Sequence, residues 1–214
     1  MGLIDSPLEN RIKGEIKMAI TVTEQQIISP IFRKNQYDHW VFRVTGSGLA
    51  GDQEISRLKN VRFRVDEKAK AFLLSTEWNG YNDKHRLVAG KEYEIVLVPT
   101  TGIKYNPPRL TLNQLSRYVG YTMPQAEIAI RSREIISDEK MKEIRFQYII
   151  IPHHVAVNQY SDLVIWNALW LDNKSMLCAS LNHTDIHWDD NGAFAFVYDK
   201  HMTKDQFLEY RCSL

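Results

Sequence analysis

The chain is poor in the features that announce a function class. Its 214 residues hold only two cysteines, Cys178 and Cys212, and neither sits in a Cys-x-x-Cys pair. A disulfide framework is therefore not expected; reduced thiols in a cytoplasmic setting are. No run approaches the ~18 apolar residues that a membrane span needs. The first residues mix Asp5, Glu9, Arg11 and Lys13 without an apolar stretch, unlike a secretory leader. An excess of one charge is missing too. With 27 Lys and Arg against 26 Asp and Glu, the formal net charge is +1, so no global field draws a polyanion to the surface. There is no glycine-rich phosphate loop, since Gly46-Ser47-Gly48 lacks the further glycines and the lysine. A Gly-x-Ser-x-Gly elbow, internal repeats and low-complexity tracts are likewise missing from the sequence.

What remains is the composition of a globule, 44% apolar and 25% charged. A chain of this length buries roughly 70% of its unfolded surface, enough for a real core. Met18 opens a fresh apolar run, so residues 1–17 are expected to be an N-terminal appendage and 18–214 a single β-rich domain. Strands are predicted at 18–24, 39–45, 60–66, 71–76 and 92–98. The 60–66 segment sets Val61, Phe63 and Val65 against Arg62, Arg64 and Asp66, the alternation of a half-exposed strand. Gly46-Ser47-Gly48 and Asn79-Gly80 signal turns.

After Pro107-Pro108 the pattern turns helical, in two pieces broken at Gly120, within an insertion at about 111–143. Strands return at 144–151, stopped by Pro152, and at 162–171, 175–181, 183–189 and 193–198. Asp190-Asn191-Gly192 supplies a hairpin turn. Thr203 to Gln206 has the capping-box pattern of a short C-terminal helix. The expected fold class is α+β and β-rich, with antiparallel sandwich-like sheets and the helical insertion.

Two segments carry chemistry. His183 to Asp190 reads His-Thr-Asp-Ile-His-Trp-Asp-Asp, the densest run of metal-ligand types in the chain. In a strand, His183, Asp185, His187 and Asp189 share one face. Positions two apart lie about 6.6 Å apart along a strand, so Asp185 with His187, or His187 with Asp189, can lean onto one ion. His183 and His187 would stand about 13 Å apart, too far for one ion in a straight strand. The run is half a site, to be completed by His153 or His154, then by His201, around a divalent ion such as Zn, Mn or Fe. The plain alternative is a polar strand side facing water. His183-Thr-Asp185 and His187-Trp-Asp189 also resemble the His-x-Asp half of the facial triad of non-haem iron oxygenases, though only His201 remains downstream as a third ligand.

The second segment, 111–136, resembles a DNA-binding helix-turn-helix. Leu112, Leu115 and Val119 form the apolar side of a first helix, Ser116 is the small residue before the turn, and Gly120 is the turn. Pro124 opens a second helix. The resemblance implies nucleic-acid contacts by Gln125 near the start of that helix and by Arg131 and Arg133 further along. Ala126, in place of a larger β-branched residue, and the late arginines depart from the pattern. Asp52 with Asp66-Glu67-Lys68 loosely resembles the acidic layout of a restriction-type nuclease, on a strand that is too polar for it.

No constellation outweighs its structural explanation. The leading expectation is a non-catalytic binding or assembly protein that contacts a protein partner or itself. The alternatives are a metal-dependent hydrolase centred on His187 and a nucleic-acid-binding protein using 111–136.

Overall fold

A computed structural model describes residues 32–61, 63–101, 120–160, 163–171, 174–181 and 189–198. All lie in the compact unit Phe32–Leu214. The appendage at 1–17, the predicted strand at 18–24, the first piece of the helical pair at 111–119, residues 183–188 and the C-terminal helix fall outside them.

Runs of β-branched and aromatic residues form the strands, because such side chains pack well on a pleated surface. They are β1 (Arg33–Lys34), β2 (Trp40–Thr45), β3 (Arg64–Val65), β4 (Glu92–Pro99), β5 (Tyr121–Thr122), β6 (Tyr148–Val157), β7 (Leu163–Leu171), β8 (Lys174–Leu181) and β9 (Gly192–Tyr198). The described helices are α1 (Gly51–Asn60), α2 (Glu67–Leu73), α3 (Tyr81–Lys84), α4 (Glu127–Ile135) and α5 (Asp138–Glu143). The protein is thus mixed α+β and rich in sheet. Among the described residues no helix is long and apolar enough to cross a membrane.

The described strands form one sheet in the order β1-β2-β4-β9-β6-β7-β8-β3, with β5 pairing the far end of β9. Most junctions are antiparallel, as expected, but β6 runs parallel to β9 and β3 parallel to β8. The β6–β9 junction is short: Tyr148, Ile149 and Ile150 pair with Gly192, Ala193 and Phe194, and the strands then part. The Tyr148 ring packs directly over Gly192, where a Cβ would sit 2.0 Å from it and the ring would have to move. A turn is present at Asp190-Asn191 and is tied down, but the strand predicted before it falls outside the described residues, and the described partners of β9 are β4, β5 and β6. Thr100 Oγ1 donates to the carbonyl of Asp189 at 2.6 Å, Tyr148 donates to the same oxygen at 2.8 Å, and Gln147 N–H donates to the carbonyl of Asn191 at 2.7 Å.

Strand alternation sorts the core into two layers. Phe42, Val44, Ile95, Leu97, Ile149 and Ile151 face the helices and pack with Leu58, Phe72, Leu73 and Ile128. Val41, Val96, Val98, Ile150, Phe194 and Phe196 face the other way with Tyr121.

Three predicted elements differ. The segment 60–66 keeps only a two-residue strand. Its first residue closes α1, and Val61 is 60% exposed rather than inward. The strand predicted at 71–76 is instead the end of α2, started by Asp66, whose carboxylate accepts the Ala69 N–H at 2.6 Å. Pro152 does not stop β6. The β6–β7 register shifts between Ile151 and Ala156, so the proline sits at an irregularity where no ladder donor is needed.

Cys178 on β8 is buried and free. Burial, and then the neighbouring Asp66 carboxylate, push its thiol up to about 12. The thiolate is the reactive form. In a Cys212→Ala background, Cys178 is therefore expected to resist iodoacetamide at pH 8 until denaturant is added; rapid labelling of the native protein would contradict this environment.

Candidate functional site: a charged cleft beside buried polar clusters

The sequence-predicted residues scatter. His153, on β6, is fully buried on the helical side of the sheet. Its ring stacks on Phe72 at 5.8 Å between centroids and meets the ring of His85 edge-on at 4.9 Å. Asp189 is exposed at the opposite end of β6, beside Tyr148, five residues and about 16 Å of strand away from His153. His154 lies on β6. Asp185 and His187 fall outside the described residues. Among the described residues no three His, Cys, Asp or Glu side chains converge as a metal site requires.

The second half of the predicted helical pair is real but altered. Gly120 turns with φ +71°, yet the chain then enters β5, and α4 starts at Glu127 rather than near Pro124. Its arginines point into the protein. Arg131 is 8% exposed and forms ion pairs with Glu54, with Glu127 at 3.1 Å and with Glu134 at 2.8 Å. Arg133 is 3% exposed; it donates to the Ile136 carbonyl and pairs with Asp138. Burial lowers the pKa of Arg133 and the Asp138 carboxylate counters it. Neither guanidinium reaches the surface where phosphates would lie. Only Gln125, half-buried ahead of α4, lines an open cavity.

Glu54 of α1 and Glu127 of α4 are wholly buried, and the turn after β2 holds them together. The Ser47 hydroxyl stands 2.7 Å from Glu54 Oε1 and 2.8 Å from Glu127 Oε1, while Ser47 N–H donates to Glu127 Oε1 at 2.7 Å. Leu87 N–H donates to the other Glu127 oxygen at 2.7 Å, and Arg57 pairs with Glu54 at 2.7 Å. Tyr81 is buried nearby, and its phenol is pushed up by burial and then by Glu127 and Glu54. A carboxylate pair neutralised from several sides and closed to solvent fits an architectural role, fixing α1, α4 and two turns against one another.

The open cavity lies where β4 begins and β9 ends. It encloses about 590 Å³, within the usual range for ligand sites. Its charged wall follows from strand periodicity. Glu92 and Glu94 point the same way from β4, and Arg43 of β2 pairs in register with Glu94. Arg33 holds Glu94 at 2.6 Å, which leaves Arg43 in a loose 3.9 Å contact with Glu92. Lys91 lies over the Tyr93 ring, 5.1 Å from its centroid. The opposite wall is Thr122, Met123 and Gln125, and Val197 and Tyr198 close the end. That wall is held in place through Tyr121. Its hydroxyl accepts from Asn35 Nδ2 at 2.7 Å and lies 3.1 Å from His39 Nδ1. Burial lowers the His39 pKa, against Asp38, and raises that of Tyr121.

Sequence reading singled out Gln125 and missed the rest of the cleft. The Lys-Glu-Tyr-Glu alternation at 91–94 was the one local signal; the pairing that sets Arg43 beside it spans about 50 residues. Compared with known proteins, the chain matches no family model, no curated protein and no solved structure.

Proposed function

We propose that the chain is a non-catalytic binding protein whose ligand or partner seats in the cleft between β4, β5 and the end of β9. The supporting observation is the cleft itself: an open, ligand-sized cavity with both charge signs on one wall and apolar side chains at its end. The ionisable groups with the most elaborate surroundings, Glu54, Glu127 and Arg131, are instead engaged with one another in the interior.

The nucleic-acid reading loses its two arginines to internal ion pairs and keeps Gln125. The metal-dependent reading rests on His153 together with residues outside the described ones. The proposal includes a cytoplasmic, reducing setting, consistent with a buried free thiol at Cys178. It also includes a second layer over Val41, Val96, Phe194 and Phe196, the sandwich-like part of the expected fold.

The test is a ligand-observed NMR screen of uncharged fragments and end-blocked peptides against the full chain. Binders are expected, and Gln125→Trp, which fills the cleft, should abolish them without moving the melting temperature. A screen without binders, or with binders indifferent to Gln125→Trp, would overturn the reading.

A further inference from the structure

We infer that the cleft recognises the head group of a free α-amino acid with an apolar side chain, an inference that rests on the binding reading above. An α-amino acid carries an ammonium and a carboxylate on a single carbon. A site for it must therefore offer an acid and a base side by side, neither firmly committed elsewhere, with an apolar surface next to them.

Arg43 and Glu92 meet the first requirement. Their charged atoms are 3.9 Å apart with side chains 61% and 65% exposed. An exposed contact this loose contributes little, so a ligand can replace it partner for partner. Arg43 would receive the carboxylate through its planar fork and Glu92 the ammonium. Glu94 cannot compete for Arg43 as strongly, because Arg33 holds it at 2.6 Å and its side chain is only 9% exposed. Both acids of β4 line the cavity, but Glu94 is clamped by Arg33 and Glu92 is not.

The second requirement is met across the cleft. Met123 and Tyr198 pack on the same face and give the cavity an apolar end, and Tyr198 is braced edge-on by Tyr121 at 5.8 Å. Thr122 and Gln125 line the same cavity, on the wall opposite the charged one. They offer neutral hydrogen-bonding groups that discriminate against neither charge of a zwitterion.

The experiment is saturation-transfer NMR on the full chain with L-leucine and L-phenylalanine, each against its N-acetyl derivative and its amide. Both free amino acids are expected to bind, and each capped form to bind at least about tenfold more weakly. Arg43→Gln should erase the preference over the amide, and Glu92→Gln the preference over the N-acetyl form. Both side chains are exposed, so the melting temperature should hold. Capped forms that bind as tightly as the free amino acids would overturn the inference. So would the absence of transfer from both amino acids. If uncharged fragments bind and are lost in Gln125→Trp while the amino acids do not bind, the inference falls and the binding reading stands. If neither class binds, both fall.

Discussion

Replacing Arg131 by methionine is expected to remove about 3–5 kcal/mol of unfolding free energy. The side chain is 8% exposed and touches Glu54, Glu127 and Glu134. Methionine keeps most of the volume and deletes the charge, so packing loss contributes little. The cost arises because Glu54 and Glu127, both wholly buried, share one Ser47 hydroxyl and would face each other without the guanidinium between them. Arg57 remains for Glu54, but Glu127 keeps only neutral donors from Ser47 and Leu87. Urea denaturation would read the loss as a lower midpoint at unchanged slope, with a melting temperature lower by on the order of 10 °C. Removing the partners as well, in Glu54→Leu/Glu127→Leu/Arg131→Met, is expected to recover much of the loss, since an apolar replacement of a whole buried ionic group is often neutral. A cost below about 1 kcal/mol for Arg131→Met, typical of surface pairs, would refute the buried placement of this network.

A second large effect is expected at the start of α1. Gly51→Ala should cost about 3 kcal/mol, the upper end of ordinary overpacking. The added Cβ would sit 1.7 Å from the Leu73 carbonyl oxygen and 2.4 Å from its carbon. These are backbone atoms, so no rotamer change relieves the clash; α1 and α2 must separate. Separation pulls Gly51 N–H from Asn82 Oδ1, at 2.9 Å, and Asn82 in turn bonds the Leu73 carbonyl at 2.9 Å. Gly90→Ala is the matched control. No atom lies within 4 Å of its Cβ, but its φ is +73°, so only the left-handed penalty of about 1–2 kcal/mol applies. Chemical denaturation of the two variants should separate them, and equal costs would rule out a steric origin at Gly51.

Much of the sheet could be read from the sequence because its strands are dense in Val, Ile, Phe and Trp. The segments 39–45, 92–98, 162–171, 175–181 and 193–198 all coincide with strands. The failures have a common cause, in which polar residues occupy positions that periodicity assigns to apolar ones. In α1 the inward face pairs Leu58 with Glu54, so the helix shows too few apolar residues to stand out, while the outward Val61 completed a false strand alternation. In α2, Ala71-Phe72-Leu73 looked β-like on composition, although Asp66 three residues before Ala69 was a readable cap. In α4, Arg131 and Arg133 looked like surface bases; Glu127 and Glu134 stand within four positions of Arg131, but the buried Glu54 that draws it inward lies 77 positions away. The cleft was illegible for the same reason. Arg43 and Glu92 become neighbours only through the β2–β4 register, which no local pattern specifies.

The short parallel junction between β6 and β9 has a mechanical consequence. In the hydrogen-bond ladder, three residues on each strand connect a slab built from β1, β2, β4, β5 and β9 to another built from β6, β7, β8 and β3. The rest of the join is side-chain packing: α4 contacts β2, β6, β7 and β8, and one core runs from Phe42 and Ile95 to Ile149, Ile151 and Leu177, so the helical layer splints the narrow section against twist. The described lining of the cleft lies on the β2, β4, β5 and β9 side of this join, at the end of β9 away from it.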